Sequence, residues 1–384
     1  MKHIAIFGST GSIGVQAVDV IERHPERFRA TVLTCGGNLE LLRVQIMRLR
    51  PGMAVAVGGG QAELSALARE FPEVEILSGA EGLAEAAGNG AYDLMLNALS
   101  GAAGLLPTWK ALTSGRGVAV ANKEALVAGG ALLMAEAARR GLPILPVDSE
   151  HSAIFQALQG SNGNAPRRVL LTASGGPFRG FSKEMLRGAT LEQALRHPSW
   201  NMGDKITVDS ATMMNKGLEI IEAGALFGLP SERIEVLAHP QCIVHSMVEF
   251  ADASVIAQLG AADMRAPIAY ALAYPERLEA VAPQLDFTAL AGLTFERVDE
   301  GVFACLRIAR EAMKAGGSAP IAMNAANEIL VGLFLQRKIG FIDIQEKLEC
   351  FMQSHVPAAV RGIDDVLGLD GEARRRASAM AGAV

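Results

Sequence analysis

The first 150 residues alternate two patterns of apolar and polar positions. Short runs that are apolar almost throughout recur at Ile4–Phe7, Ala30–Thr34, Met53–Val57, Val74–Leu77, Asp93–Leu99, Gly117–Ala121 and Pro143–Val147. Between them lie stretches with apolar residues every three to four positions, such as Ile13–Arg23, Gln61–Glu70 and Glu124–Arg140. A run apolar at every position suits a strand buried on both faces, and the longer period suits an amphipathic helix. Their alternation predicts an α/β fold over residues 1–149, a Rossmann-like doubly wound parallel sheet with helices on both faces.

From residue 150 the pattern changes. A strand at Arg168–Thr172 runs into Gly-rich SGGPFRG, then HPSWNMGDK, then a long helical period over Ala211–Phe227. Strands are expected at Ile234–Ala238, His245–Phe250 and Ser254–Leu259, the last two joined by a hairpin at 251–253. Residues 150–275 therefore read as an α+β domain. A Pro-containing connection, 276–300, leads to helical periods at Phe303–Lys314, Ala322–Arg337, Ile344–Gln353 and Glu372–Met380. These predict a C-terminal helical bundle over 301–384.

Composition narrows the class. A formal net charge of −6 argues against a general nucleic-acid binder. The cysteines, Cys35, Cys242, Cys305 and Cys350, show no CxxC pair, which suits reduced thiols and not a disulfide or zinc framework. No run of eighteen apolar residues occurs and the N-terminus shows no leader pattern, so a soluble, cytoplasmic protein with no membrane partner is expected.

Seven places carry candidate chemistry. Gly8, Gly11 and Gly14 fall between a strand and a helix, where glycines let a backbone approach a pyrophosphate and the helix N-terminus stabilises its charge. The second strand ends Thr34-Cys35-Gly36-Gly37-Asn38 with no carboxylate before Glu40, which favours NADP over NAD. In LPVDSEHSAI, residues 145–154, an apolar run breaks into Asp148-Ser149-Glu150-His151. Helix capping explains that break, and so does a pair of hard oxygen ligands for Mg²⁺ or Mn²⁺. In the helix expected at 211–227, Thr212, Asn215, Lys216, Glu219 and Glu222 share one side. Either that side is solvated, with Lys216 and Glu219 as a surface pair, or it binds a sugar phosphate and offers a third carboxylate to a metal. Ser174-Gly175-Gly176 is a plain turn or a phosphate cradle, and His197 a substrate ligand or a surface loop histidine. His151, His239 and His245 read as structural. Asn122-Lys123-Glu124 stands where a strand gives way to a helix, on the edge where doubly wound sheets bind ligands.

Taken in order, GSTGSIG (8–14), ANKEAL (121–126), PVDSEHSAIFQ (146–156), LLTASGGPFR (170–179), RHPSWNMGDKITVDSATMMNKGLE (196–219) and NAANEI (324–329) closely resemble the 1-deoxy-D-xylulose 5-phosphate reductoisomerase family. The resemblance implies the rearrangement and NADPH-dependent reduction of 1-deoxy-D-xylulose 5-phosphate to 2-C-methyl-D-erythritol 4-phosphate, in non-mevalonate isoprenoid biosynthesis. It implies an NADPH site at Thr10, Gly11, Ser12, Ile13, Gly36, Gly37, Asn38, Asn122, Glu124 and Gly203. It implies one divalent cation, Mg²⁺, Mn²⁺ or Co²⁺, on Asp148, Glu150 and Glu219, catalysis by these carboxylates with Lys123, and a homodimer. Substrate contacts would come from Lys123, Ser149, Glu150, Ser174, His197, Ser210, Asn215, Lys216 and Glu219, with Trp200 in a flap above them. Two positions depart from the family: Gly37, where relatives often carry a basic residue, and Ala173, where glycine is common. The other readings are an NADP-dependent dehydrogenase that needs no metal, and a nucleotide sensor with no turnover.

Overall fold

The apolar runs of the first 150 residues form seven parallel strands: β1 (Lys2–Phe7), β2 (Phe28–Cys35), β3 (Met53–Ala56), β4 (Glu75–Ser78), β5 (Leu94–Asn97), β6 (Gly117–Val120) and β7 (Ile144–Pro146). This computed structural model describes residues 1–200, 202–279 and 281–382. The sheet order is β4-β3-β2-β1-β5-β6-β7. The order reverses beside β1, which pairs with β2 on one side and β5 on the other. At such a switch point the helices leave the sheet in opposite directions and open a crevice at the strand C-termini. Ile4, Ala5, Ile6, Leu94, Met95 and Leu96 are all essentially inaccessible, which is why their runs lack polar alternation.

The chain divides into two compact units. The first holds residues 1–125, 131–152 and 263–283. Its last segment carries the helix Arg265–Ala273, which is tied to the helix Ser12–Arg23 by Arg265–Asp19 at 3.2 Å. Arg27–Glu276 at 2.8 Å and the Lys2 ammonium on the Leu272 carbonyl at 3.0 Å add to this.

The second unit holds residues 126–130, 153–262 and 284–384. Its sheet contains β8 (Arg168–Ala173), β9 (Ile234–Ala238), β10 (Val244–Glu249), β11 (Val255–Leu259) and β12 (Glu296–Arg297), in the order β11-β10-β8-β9-β12. Only β8 and β9 run parallel. The helices Ala304–Ala315, Ala319–Leu335, Phe341–Gln353 and Ile363–Gly382 share one apolar core with this sheet, through residues such as Val169, Leu171, Leu330, Phe341 and Phe351. Phe178, just after β8, meets the Phe341 ring edge-on at 4.7 Å.

One expectation is corrected. The long helix at 211–227 is two helices, Asp204–Ala211 and Met214–Phe227. Thr212 ends the first and Met213 adopts a left-handed backbone with φ 62°. The Thr212 hydroxyl accepts the Met214 N–H at 3.3 Å, stabilising the break by a local side-chain turn. Thr212 therefore leaves the polar stripe, and Asn215, Lys216, Glu219 and Glu222 remain on the second helix.

Candidate active site

In the first unit the glycine turn is built by exclusion of side chains. Gly8 has φ 90°, and a Cβ on it would lie 2.5 Å from the Ala98 carbonyl oxygen. A Cβ on Gly14 would lie 2.2 Å from the Gly8 carbonyl oxygen, so the first helical turn can pack against the loop only without one. Ser9 is fully buried and anchors the loop, its hydroxyl donating to Gln45 Oε1 at 2.7 Å. Thr10, Gly11, Ser12 and Ile13 stay accessible. Gly11 caps the helix with no side-chain acceptor, which leaves the first backbone N–H groups turned outward at the positive end of the dipole. The spacing GxxGxxG thus makes the same kind of anion cradle as the commoner GxGxxG.

Gly36, Gly37 and Asn38 form the exposed turn after β2, where Asn38 accepts the Leu41 N–H at 3.1 Å as a helix cap. Asn122, after β6, is a buried cap. Its oxygen accepts the Ala125 N–H at 2.9 Å, and its amide donates to the carbonyls of Leu99 and Gly101 and to Glu124 at 2.9 to 3.0 Å. The side chain of Asn122 therefore holds the strand-end loop. Lys123 and Glu124 beside this cap are buried too, not exposed.

Asp148 caps the helix start and also forms a buried ion pair. Its Oδ1 accepts the Glu150 N–H at 3.2 Å as a cap and lies 3.1 Å from His151 Nδ1. Its Oδ2 lies 2.7 Å from the Lys123 ammonium, both side chains being less than a tenth exposed. A helix cap needs no buried ammonium, so the Lys123 pair goes beyond capping. The Ser149 hydroxyl donates to Glu150 Oε2 at 2.9 Å. His151 is fully buried against Asp148, a neighbour the sequence reading missed. Its signal was the i, i+3 spacing from Asp148 at a helix start.

In the second unit the helix Met214–Phe227 buries what looked like a solvated face. Lys216 is 6 % exposed, and Glu219 and Glu222 are at 0 %. Glu219 receives the Asn215 amide at 2.6 Å and the Lys216 ammonium at 2.5 Å. The surface-pair reading of Lys216 and Glu219 therefore fails. Ser174 stands at the end of β8, followed by Gly175 and Gly176 with φ 85° and 65°. A Cβ on Gly176 would lie 2.9 Å from the Ser210 carbonyl oxygen, so this glycine lets the turn close on Ser210. His197 Nε2 lies 2.9 Å from Ser174 Oγ, while Nδ1 accepts the N–H groups of Ser199 and Trp200 at 3.2 and 2.9 Å. Two donors on Nδ1 place the ring proton on Nε2, which donates to Ser174. Burial, and then the Lys216 ammonium, push His197 down to about 4, so the ring is neutral near pH 7. Ser174 also accepts the Gly176 N–H at 3.1 Å, which leaves its own hydroxyl proton to give. One turn thus carries neutral donors beside an ammonium, the chemistry that recognises a phosphate. Trp200 follows directly, and Gly203 caps the helix Asp204–Ala211 from an exposed position.

Behind Ser210, the buried Asp209 accepts the Asn327 amide at 2.8 Å and lies 2.8 Å from the Lys205 ammonium. This brings the NAANEI helix to the back of the same turn, a role its sequence did not reveal. His239 is structural, its Nε2 accepting the N–H groups of Ile243 and Val244.

Family models described as 1-deoxy-D-xylulose 5-phosphate reductoisomerase, its C-terminal domain and the DXP reductoisomerase C-terminal domain match residues 4–130, 144–227 and 259–376. The chain is 50% identical over 377 residues to a 1-deoxy-D-xylulose 5-phosphate reductoisomerase of Gloeobacter violaceus, covering 97% of this chain and 96% of that one. It is 48% identical over 382 residues to that of Geobacter metallireducens, covering 100% of each. Among solved structures, the reductoisomerase from Zymomonas mobilis in complex with NADPH superposes with a TM-score of 0.92 at 43% identity, covering 100% of both chains. A DOX-P reductoisomerase in complex with NADPH, fosmidomycin and magnesium gives 0.92 at 38% identity, over 100% of this chain and 98% of that one.

Proposed function

This chain belongs to the 1-deoxy-D-xylulose 5-phosphate reductoisomerase family, and from that premise we propose how its own residues divide the reaction. The enzyme converts 1-deoxy-D-xylulose 5-phosphate to 2-C-methyl-D-erythritol 4-phosphate with NADPH and a divalent cation. The side-chain-free glycine turn and the uncapped helix behind it fit a dinucleotide pyrophosphate, held by Thr10, Gly11, Ser12 and Ile13. Gly36, Gly37, Asn38, Asn122, Glu124 and Gly203 complete our cofactor assignment.

We assign the divalent cation to Asp148, Glu150 and Glu219, hard carboxylate donors that suit Mg²⁺ and equally Mn²⁺ or Co²⁺. When bound, such a cation polarises the substrate carbonyl and stabilises the charge that develops during rearrangement. Lys123 pairs with Asp148 at 2.7 Å and supports proton movement on the substrate oxygens. Ser149 and Glu150 contact the same end of the sugar. Ser174, His197, Ser210, Asn215 and Lys216 bind the phosphate, and Glu219 orients Asn215 and Lys216 toward it. Phosphate binding then draws Trp200 and its neighbours over the substrate, excluding water from reactive intermediates.

The observation that carries this assignment is the Ser174–His197 pair, closed on Ser210 and kept neutral beside Lys216. Residues 1–149 serve as the cofactor segment, 150–275 as the metal and substrate segment, 276–300 as a connection and 301–384 as the helical support. We further propose a homodimer in the cytoplasm. None of the four cysteines forms a disulfide, which suits a reducing compartment, and no described helix is long and apolar enough to cross a membrane. The test is product identification by mass spectrometry after incubation with 1-deoxy-D-xylulose 5-phosphate, NADPH and Mg²⁺, comparing wild type with Lys216→Met. Expected are methylerythritol phosphate from wild type and a KM for substrate raised at least tenfold in the variant, about the value of one charge-assisted phosphate contact. An unchanged KM would sink the phosphate assignment.

A further inference from the structure

Ser210 stands on the last turn of the helix Asp204–Ala211. In front of it, Gly176 lets the turn after β8 close on the Ser210 carbonyl, which permits an approach without aligning it. The helix has only eight residues, too few to be rigid by itself, and the left-handed Met213 uncouples it from the next one. A rotation of about 15° around its axis would carry a side-chain oxygen about 1 Å, enough to spoil a hydrogen bond.

The neighbouring residue, Asp209, supplies a directional hold from behind. It is buried, and its Oδ1 accepts the amide of Asn327 at 2.8 Å, from the helix Ala319–Leu335. Its Oδ2 lies 2.8 Å from the ammonium of Lys205, one turn earlier on its own helix. This is an expensive way to join two helices whose Val208, Ala211, Met323 and Leu330 already belong to the apolar core. Asn327 is fully buried, and its Oδ1 receives no donor from the described residues. An apolar pair would fill the same space with no carboxylate or amide oxygen to desolvate. What an apolar pair lacks is direction, because dispersion contacts tolerate a small rotation and a short hydrogen bond does not.

We propose that Asn327 is a positioning residue for phosphate recognition, holding Asp209 so that Ser210 is aimed toward the Ser174–His197 turn. The C-terminal bundle then takes part in substrate binding without touching substrate. Asn324, one turn earlier on the same helix, is the natural control. It is equally buried and its oxygen equally lacks a donor among the described residues, but its amide donates to Glu328 on its own helix at 3.0 Å. The inference rests on the reading of Ser210 as a phosphate contact.

The test is steady-state kinetics of the full-length enzyme, with 1-deoxy-D-xylulose 5-phosphate varied under saturating NADPH and Mg²⁺. The variants are Asn327→Leu, Asn324→Leu, Ser210→Ala and the double variant Asn327→Leu/Ser210→Ala, each checked for folding by calorimetry. Ser210→Ala is expected to raise KM about tenfold, the loss of one charge-assisted bond. Asn327→Leu should raise KM about three- to tenfold and leave kcat within about twofold, because the phosphate takes no part in the chemistry. Added to Ser210→Ala, it should change KM by less than about twofold, since the hydroxyl it aims is gone. Asn324→Leu should lower the unfolding midpoint yet leave KM within about twofold of wild type, as a purely structural loss does. A folded Asn327→Leu enzyme with wild-type KM would overturn the inference. So would a rise in KM that persists without the Ser210 hydroxyl, or one that Asn324→Leu reproduces. Should Asn327→Leu not fold, Asn327→Ala carries the same comparisons. Ser210→Ala with an unchanged KM would refute the phosphate reading itself, and the inference with it.

Discussion

His197 has two separable jobs, and two amide substitutions can divide them. Its Nδ1 accepts the N–H groups of Ser199 and Trp200, tying the base of the proposed flap, while its Nε2–H reaches Ser174. In His197→Asn the amide group falls near Nδ1, so the flap base keeps an acceptor and Ser174 loses its donor. In His197→Gln the amide falls near Nε2, so Ser174 keeps a donor and the flap base loses its acceptor. The two flap bonds are partly solvated, so each is worth the low end of a neutral hydrogen bond, about 0.5–1 kcal/mol. Together they correspond to about 1–2 kcal/mol, or roughly five- to thirtyfold in kcat/KM, for the Gln variant. The single bond to Ser174 is worth about 1 kcal/mol, roughly fivefold, for the Asn variant. The assay is steady-state NADPH absorbance with 1-deoxy-D-xylulose 5-phosphate varied under saturating NADPH and Mg²⁺. Tryptophan fluorescence on substrate binding reports the flap independently, and its change should be reduced in the Gln variant and retained in the Asn variant. Because His197 is pushed down to about 4, wild-type kcat/KM should show no His197 ionisation between about pH 5.5 and pH 8. Equal losses in both variants, or a limb near pH 6.5 that disappears in both, would refute this division.

Three further outcomes follow from the same structure. Gly14→Ala drives a methyl to within 2.2 Å of the Gly8 carbonyl oxygen; thermal unfolding should show a loss of at least about 2 kcal/mol, with NADPH affinity reduced in parallel. Asn327→Ala removes the amide that Asp209 accepts at 2.8 Å in a fully buried place; urea denaturation should show a cost of about 1–3 kcal/mol, and Asn327→Asp should cost more. The acid limb of the stability curve should contain His197: the unfolded ring takes up a proton near 6.5 and the folded ring only near 4. Its contribution is therefore full above about pH 6.5 and is lost as pH falls through that window, and a His197→Gln protein should have a shallower acid limb in calorimetry.

The parallel sheet was legible because strands covered on both faces run apolar for most of their length, as Ile4–Phe7, Leu94–Leu96 and Val118–Val120 do. The switch point beside β1 was not, because strand order depends on contacts between segments far apart in the chain. The return of residues 263–283 to the first unit is of the same kind, resting on pairs such as Arg27–Glu276. The break at Met213 was invisible for a different reason. Neither methionine nor threonine interrupts a helical period, and the turn depends on a single hydroxyl contact. At the site, residue types were readable and environments were not. Lys216 and Glu219 show the spacing of any surface pair, and only their burial sets them apart. Asp148 was ambiguous between cap and ligand because the cap is real, and what the sequence could not show is the ammonium of Lys123 on its other oxygen.

The central claim is that a divalent cation on a carboxylate set including Asp148 makes this chain a reductoisomerase. It is tested most directly by NADPH oxidation with 1-deoxy-D-xylulose 5-phosphate in EDTA, then with Mg²⁺ restored, for wild type and Asp148→Asn. The Asn side chain keeps the oxygen that caps Glu150 and removes the charge and the acceptor that pairs with Lys123. Turnover should vanish in EDTA, return with Mg²⁺, and remain lost in a folded Asp148→Asn protein that still binds NADPH. Turnover undiminished in EDTA, or an Asp148→Asn enzyme as active as wild type, would contradict the account.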